Sequence, residues 1–180
     1  MPVDLVTIAV RPERPDDEAF LRAVYTSTRE DELNAWGLPP EMRTAFLDMQ
    51  FKAQQCGYRT GFPKGEFLVI LLAGKTVGRM VIDRGADEWC LVDIALLVGY
   101  RSQGIGTVLI RRLAAEAAAA GKPLGLSVIK GNQAFRFYKR LGFVKTGESG
   151  MHDLMEWRAE NSRAKNDSSD ASQLKTSAPI

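Results

Sequence analysis

Gly104-Ile105-Gly106 follows an apolar run and opens a helical pattern, the clearest chemical possibility in this 180-residue chain. A strand that turns sharply into a helix points the helix's first N–H groups, reinforced by the helix dipole, at whatever lies in front of it. Small residues are needed at 104 and 106, because a side chain there would hold a phosphate away from the amides. Such a turn could cradle a diphosphate. Glycine is also common at plain strand-to-helix junctions, so the turn by itself leaves both readings open. Two nucleotide motifs fail on the same residues. A dinucleotide fingerprint needs a third glycine where Leu109 stands, and a Walker loop needs a Lys after its last glycine, where Thr107 stands. His152 is the only histidine, so no multi-histidine metal site can be built, a His-based triad could use only His152 itself, and no metal is expected.

The composition narrows the classes further. About 150 residues are enough to bury roughly 70% of the unfolded surface, so one compact domain is expected. Hydrophobic residues make up 45% and charged residues 26% of the chain, an ordinary globular balance. The 24 basic residues are interleaved with 22 acidic ones for a net charge of +2. No basic patch or arm stands out, and a nucleic-acid partner is not expected. Cys56 and Cys90 form no Cys-x-x-Cys pair and lie in apolar-rich segments, which suits two reduced, partly buried thiols in a cytoplasmic protein. No segment approaches the roughly 20 apolar residues of a membrane span, so neither secretion nor membrane insertion is expected.

The elements that must position the turn follow from periodicity. Val3 to Val10 reads as an edge strand stopped by Pro12 and Pro15. Asp16 and Asp17 suit a helix N-terminus. Phe20, Leu21 and Val24 continue at helical spacing to about Ser27, and a second short helical piece runs from Asp31 to Trp36. After Gly37 and Pro39-Pro40, the residues Met42, Phe46, Met49 and Ala53 mark the apolar face of a long helix ending near Gly57. Phe67 to Leu72 and Thr76 to Asp83 read as a hairpin, with Gly78 as a bulge or a site of close backbone approach. Glu88 to Val98 is a strand covered on both faces. A helix follows in which Ile105, Val108, Leu109, Leu113 and Ala117 share a face, ended by Gly121 and Pro123. Then come a strand from Leu124 to Ile129, a short helix opened by Asn132 and closed by Gly142, and a strand pair, Phe143 to Thr146 and His152 to Trp157. From Ala159 the chain is polar and Ser-rich, so residues 1–158 are expected to form one domain and 159–180 a flexible tail.

With its preceding strand Asp93 to Val98, Arg101-Ser102-Gln103-Gly104-Ile105-Gly106 resembles the acetyl-CoA motif of the GNAT superfamily of N-acetyltransferases: Gln or Arg, two residues, Gly, one residue, Gly or Ala. After the next strand, the run from Asn132 to Phe143 is similar to the family's signature of Asn, Ala, an aliphatic or aromatic residue, Tyr and Gly-Phe. The two motifs in this order are far more specific than either alone, and the resemblance spans Ile8 to Trp157. It implies an α+β fold of three layers (αβα), with a mixed, strongly twisted sheet and helices on both faces. A splay between the strands at 88–98 and 124–129 would hold pantetheine. The resemblance also implies that the backbone of Ile94, Ala95 and Leu96 pairs with pantetheine. The amides of Ser102, Gln103, Gly104, Ile105, Gly106 and Thr107, with Arg101, would hold the pyrophosphate, and Asn132 and Tyr138 would contact acetyl-CoA. Trp36, Tyr58 and Phe62 would border the acceptor groove, and a homodimer is a family-level expectation. The chain departs from the pattern in two places: Val98-Gly99 replaces a common Pro and polar residue, and the acidic residue of the third strand is Asp93 instead of Glu.

The implied reaction carries acetyl from acetyl-CoA to a primary amine by direct attack in a ternary complex. A lysine-like amine with pKa about 10.4 is only about one part in 2,500 neutral at pH 7, so a base must take its proton. Asp93 is the nearest candidate, directly or through water, if desolvation raises its pKa; pairing with Arg79 would be a structural role instead. Glu30, Glu32 and Glu66 are fallbacks. The N–H of Leu96 would hold the oxyanion, and the phenol of Tyr138 can protonate the leaving thiolate, in the role of general acid that the family implies. Packing beside Phe135 and Phe137 is the plain alternative for Tyr138. A non-catalytic acetyl-CoA sensor or interaction module is the alternative for the whole protein.

Overall fold

The structure is a computed structural model that describes residues 7–36 and 39–159. Among these are seven β-strands and four α-helices, in the expected α+β class. No helix among the described residues is long and apolar enough to cross a membrane. The described residues form two compact units, one drawn from within residues 7–86 and 90–110 and the other from 87–89 and 111–159.

In the first unit, strands β1 (Ile8–Pro12), β2 (Glu66–Leu72), β3 (Lys75–Arg84) and β4 (Trp89–Leu96) follow one another in that order across the sheet. β1 with β2 and β2 with β3 are antiparallel. Helices α1 (Glu18–Trp36) and α2 (Pro40–Gly61) meet β2 in one apolar cluster. Leu21 and Tyr25 on α1, Leu47 and Phe51 on α2, and Val69 on β2 are all buried there. The i, i+4 spacing puts each helical pair on one face. Burying side chains of this kind contributes about 1.5–3 kcal/mol each, enough to decide which sheet face the helices cover. Val69 stands directly opposite Arg79 in the β2–β3 ladder, and directly opposed residues share a face. The register therefore carries Arg79 beneath the helices.

Ala73 and Gly74, at φ 48° and 79°, make the two-residue turn between β2 and β3, the left-handed geometry that matches hairpin twist. Further along, Ile70 pairs with Gly78 but Leu71 with Thr76, so Val77 is the extra residue of a bulge. Both expectations for Gly78 hold. It borders the bulge, and a Cβ there would overlap the carbonyl oxygen of Ala95 and crowd Leu96.

In the second unit, β5 (Leu124–Ile129), β7 (His152–Trp157) and β6 (Val144–Ser149) lie in that order, with both ladders antiparallel. Leu124, Leu126 and Val128 alternate inward along β5, with Leu126 opposite Met155. The short helix α4 (Ala134–Arg140) is followed by Gly142 at φ 93°. Helix α3 (Ile105–Ala119) carries the chain from the first unit into the second.

Several boundaries differ from the sequence reading. β1 runs through Pro12, which an edge strand tolerates; the expected start at Val3 lies outside the described residues. α1 is continuous from Glu18 to Trp36 instead of breaking after Ser27, since no Gly or Pro interrupts that stretch. α2 passes through Gly57, where a side chain would meet nothing within 4 Å, and ends at Gly61. Its buried face is that of Leu47 and Phe51, while Met42 and Met49 are each 60% exposed. Two apolar stripes compete on this helix, and the one bearing Leu47 and Phe51 packs against α1 and β2, with Phe46 partly buried at its edge. Cys56 follows the outer stripe and is exposed, not partly buried; Cys90 is half-buried. The last strand pair starts one residue later, at Val144, and runs on to Ser149. The segment expected to be a flexible tail lies, from residue 160 onward, outside the described residues.

Gly78→Ala is expected to destabilise the protein by about 1–3 kcal/mol through overpacking against Ala95. Urea denaturation measures this, and an unchanged midpoint would show that the two backbones have room to part.

Candidate active site

The glycine turn is built by what precedes and follows it. β4 ends at Leu96, a single 3-10 turn spans Val98–Tyr100, and α3 begins at Ile105. The expected strand to Val98 is two residues shorter because the Tyr100 N–H donates back to Leu97 O at 2.9 Å, closing that turn. Ser102 at φ 59° and Gly104 at φ 85° reverse the chain, Ser102 doing so without the freedom of glycine. Ile105, Leu109, Ile110 and Leu113 are nearly fully buried and seat the first turns of α3. The first intrahelical bond runs from Val108 N–H to Gly104 O at 3.0 Å. Ile105, Gly106 and Thr107 therefore keep N–H groups with no intrahelical acceptor, the arrangement that holds an anion.

The side chains of the turn are partly committed. Gln103 Nε2 donates to Gly99 O at 2.6 Å. Arg101 Nε donates to Leu96 O at 2.9 Å, and Nη2 donates to Ser27 O at 2.9 Å.

Beneath α2 lies a buried ion pair. Arg79 Nε stands 2.7 Å from Asp93 Oδ2, with Arg79 at 4% and Asp93 at 18% side-chain exposure. Arg79 Nη2 donates to Gln54 Oε1 of α2 at 2.5 Å, while Nη1 meets no acceptor among the described residues. Burial pushes the Asp93 carboxyl above its ordinary range, against the opposing pull of Arg79 and of the Ile94 backbone. Tyr58 of α2 is half-buried in the same surroundings. Its phenol is pushed up to about 12, first by burial and then by the negative charge of Asp93. Tyr25 of α1 donates to Gln50 Oε1 at 2.9 Å. Gln50, Gln54 and Tyr58 thus make a polar row at i, i+4 and i+8 on α2.

Of the residues expected at the acceptor side, Tyr58 and Asp93 come together. Phe62 caps the C-terminus of α2, its N–H donating to Tyr58 O. Trp36 ends α1, but its side chain, like those of Glu30 and Glu32, lies outside the described residues. Glu66 is tied to Arg84 at 2.8 Å on the surface. Gln54 and Ser27 were not singled out from the sequence; the row at 50, 54 and 58 was a readable signal for the first, while nothing local marks the second.

In the second unit, Asn132 Oδ1 accepts the Ala134 N–H at 2.8 Å and opens α4, as its position suggested. The Tyr138 ring lies 5.4 Å from Phe137 and 5.7 Å, edge-on, from Phe143. His152 is exposed on β7, opposite Ile129.

Residues 63–145, which include most of both motifs' elements, match the family model described as the acetyltransferase (GNAT) domain. The PaiA N-acetyltransferase from Thermoplasma acidophilum, in complex with coenzyme A, is similar in structure at a TM-score of 0.63 with 18% identity, over 84% of this chain and 99% of that one. An acetyltransferase from Thermus thermophilus matches at 0.62 with 20% identity, over 87% and 99%. Ard1 from Thermoplasma volcanium matches at 0.53 with 21% identity, over 84% and 97%. No protein with a curated description matches in sequence. The class is set by these findings: the fold is that of the GNAT acetyltransferases, and residues 63–145 match the model of their domain. The resemblance read from the two motifs is thereby shown.

Removing one partner of a buried pair leaves an uncompensated charge, so Arg79→Met is expected to cost about 3–5 kcal/mol near pH 7.5. Without Arg79 the Asp93 carboxyl loses its lowering influence, and its folded pKa rises further above the unfolded value of about 3.9. As pH falls toward that folded value the carboxyl takes up a proton, so the cost should shrink at pH 5. Denaturation at the two pH values tests this, and an equal cost at both would mean that Asp93 is not the group left stranded.

Proposed function

We propose that the protein is an N-acetyltransferase that carries acetyl from acetyl-CoA to a primary amine by direct attack in a ternary complex, with residues 1–158 acting as one domain. The observation that carries this reading is the set of free amides at the start of α3, presented by a turn with two left-handed residues, inside the segment that matches the acetyltransferase domain. That turn fits the diphosphate of CoA: Ser102 to Thr107 supply the donors, and the glycines keep the approach open. The backbone of Ile94 to Leu96 would align pantetheine, and Asn132 would contact the cofactor.

In the proposed reaction Asp93 takes a proton from the acceptor ammonium, directly or through water. Its burial supports this role, because a raised carboxyl pKa lies closer to the working pH of a base. The amine nitrogen then attacks the thioester carbonyl. The N–H of Leu96 stabilises the oxyanion; on its collapse Tyr138 gives its proton to the departing thiolate, and the nitrogen's surplus proton passes through water to the Tyr138 phenolate, leaving the neutral amide. Tyr58 and Phe62 would border the amine. Two free cysteines, one of them exposed, suit a reducing cytoplasm.

A second reading, a sensor that binds acetyl-CoA without turnover, draws support from the same ion pair, since a carboxylate committed to Arg79 is a hindered base. Release of CoA thiol from acetyl-CoA over a panel of small amines and peptides separates the two. Tyr138→Phe should lower kcat by about 10²-fold while calorimetric CoA affinity stays near that of the wild type. Unchanged turnover would remove Tyr138 from the mechanism, and CoA binding with no turnover on any amine would favour the sensor.

A further inference from the structure

Arg101 opens the acetyl-CoA motif, yet its guanidinium turns away from the helix start. Nε donates to the carbonyl of Leu96, the last residue of β4, at 2.9 Å. Nη2 donates to the carbonyl of Ser27, in the middle of α1, at 2.9 Å, and approaches Ser27 Oγ at 3.3 Å. The guanidinium is planar and its donors are fixed in a fork, so one group sets two backbone segments relative to each other. The segments it joins are 74 positions apart in sequence.

The site on α1 suits such a tie. Ser27 Oγ donates to Val24 O at 2.8 Å, and Thr28 Oγ1 donates to Tyr25 O at 2.7 Å. Hydroxyls that bond back into the preceding turn slightly weaken a helix locally. Ala23, Thr26 and Ser27 also line a shallow cleft with Ala19 and Arg22, so small side chains leave the backbone reachable there. α1 is thus held where two hydroxyls bond back into the helix. The Leu96 peptide, whose N–H is the proposed oxyanion donor, is oriented through its neighbouring carbonyl by the same group.

We infer that Arg101 is a positioning residue, which fastens α1 to the end of β4 and is not a ligand of the diphosphate. This rests on the acetyl-CoA reading only in naming the diphosphate as the competing partner. The guanidinium has two of its three nitrogens already engaged, and the turn supplies its own amides for an anion.

Arg101→Lys separates the two roles, because lysine keeps the positive charge but lacks the fork. The full chain, with Arg101→Ala and Arg101→Lys, is compared by hydrogen exchange of α1 and by calorimetry with CoA at low and high salt. Both variants are expected to exchange the amides around Ser27 about 5-fold faster, as a lost local tie predicts. CoA affinity should stay within about 3-fold in both, with the salt dependence unchanged. The inference is overturned if α1 exchange is unchanged in Arg101→Ala, or if CoA affinity falls by about 10-fold or more in Arg101→Ala and Arg101→Lys restores it. Absence of CoA binding by the wild type would defeat the acetyl-CoA reading instead, and the exchange of α1 would still decide the tie.

Discussion

A helix cannot satisfy its own first N–H groups, and the rest of this structure serves to leave those of α3 facing outward at the end of β4. Exposed backbone donors are ordinarily a cost, and several local features hold them in place. Ile105, at 1% exposure, anchors the first turn of the helix in apolar surroundings. Ser102 accepts a left-handed φ that a residue with a Cβ adopts at a cost of about 1–2 kcal/mol. Strain of this kind persists only where neighbouring structure over-determines it. Here the 3-10 turn before it and the buried helix after it do so. Behind the turn, the bulge at Val77 and the bare Gly78 let β3 and β4 approach until Leu97 N–H reaches Val77 O at 3.0 Å.

The second constraint is electrostatic. Arg79 and Asp93 are buried together, and a buried pair is weak evidence for stability because desolvation offsets its attraction. Apolar residues would fill the same volume without that cost. The pair is also incompletely satisfied, with Nη1 lacking an acceptor among the described residues and Asp93 raised by burial despite its cationic neighbour. Tyr58 shares these surroundings, where burial first and then the Asp93 charge keep its phenol neutral to higher pH. A carboxyl raised by burial beside a neutral phenol suits the proton-transfer role proposed for Asp93.

Much of the fold was legible in the sequence because the relevant signals are local. β5 was read to the residue, since Gly121 and Pro123 end the helix before it and its apolar alternation is regular. The dual role of Gly78 followed from a glycine inside a strand pattern. The misplaced features have a common origin in long-range packing. α2 carries two apolar stripes, and only contact with α1 and β2 selects Leu47 and Phe51 over Met42 and Met49. The break expected in α1 after Ser27 does not occur, because helix propensity carries a stretch with no Gly or Pro.

The same distinction separates the proposed cofactor side of the site from its acceptor side. A diphosphate is held by main-chain donors, so recognition demands particular backbone angles, and these leave their trace as glycines at fixed spacing within a few residues. An acceptor is recognised by side chains that the fold assembles from separate elements. Gln54 meets Arg79 from 25 positions away, a distance over which no spacing rule operates. The family's shared motif therefore specifies the acyl donor. What would recognise the acceptor lies outside that motif, in side chains such as Gln54 that reach the Arg79–Asp93 pair from a separate element.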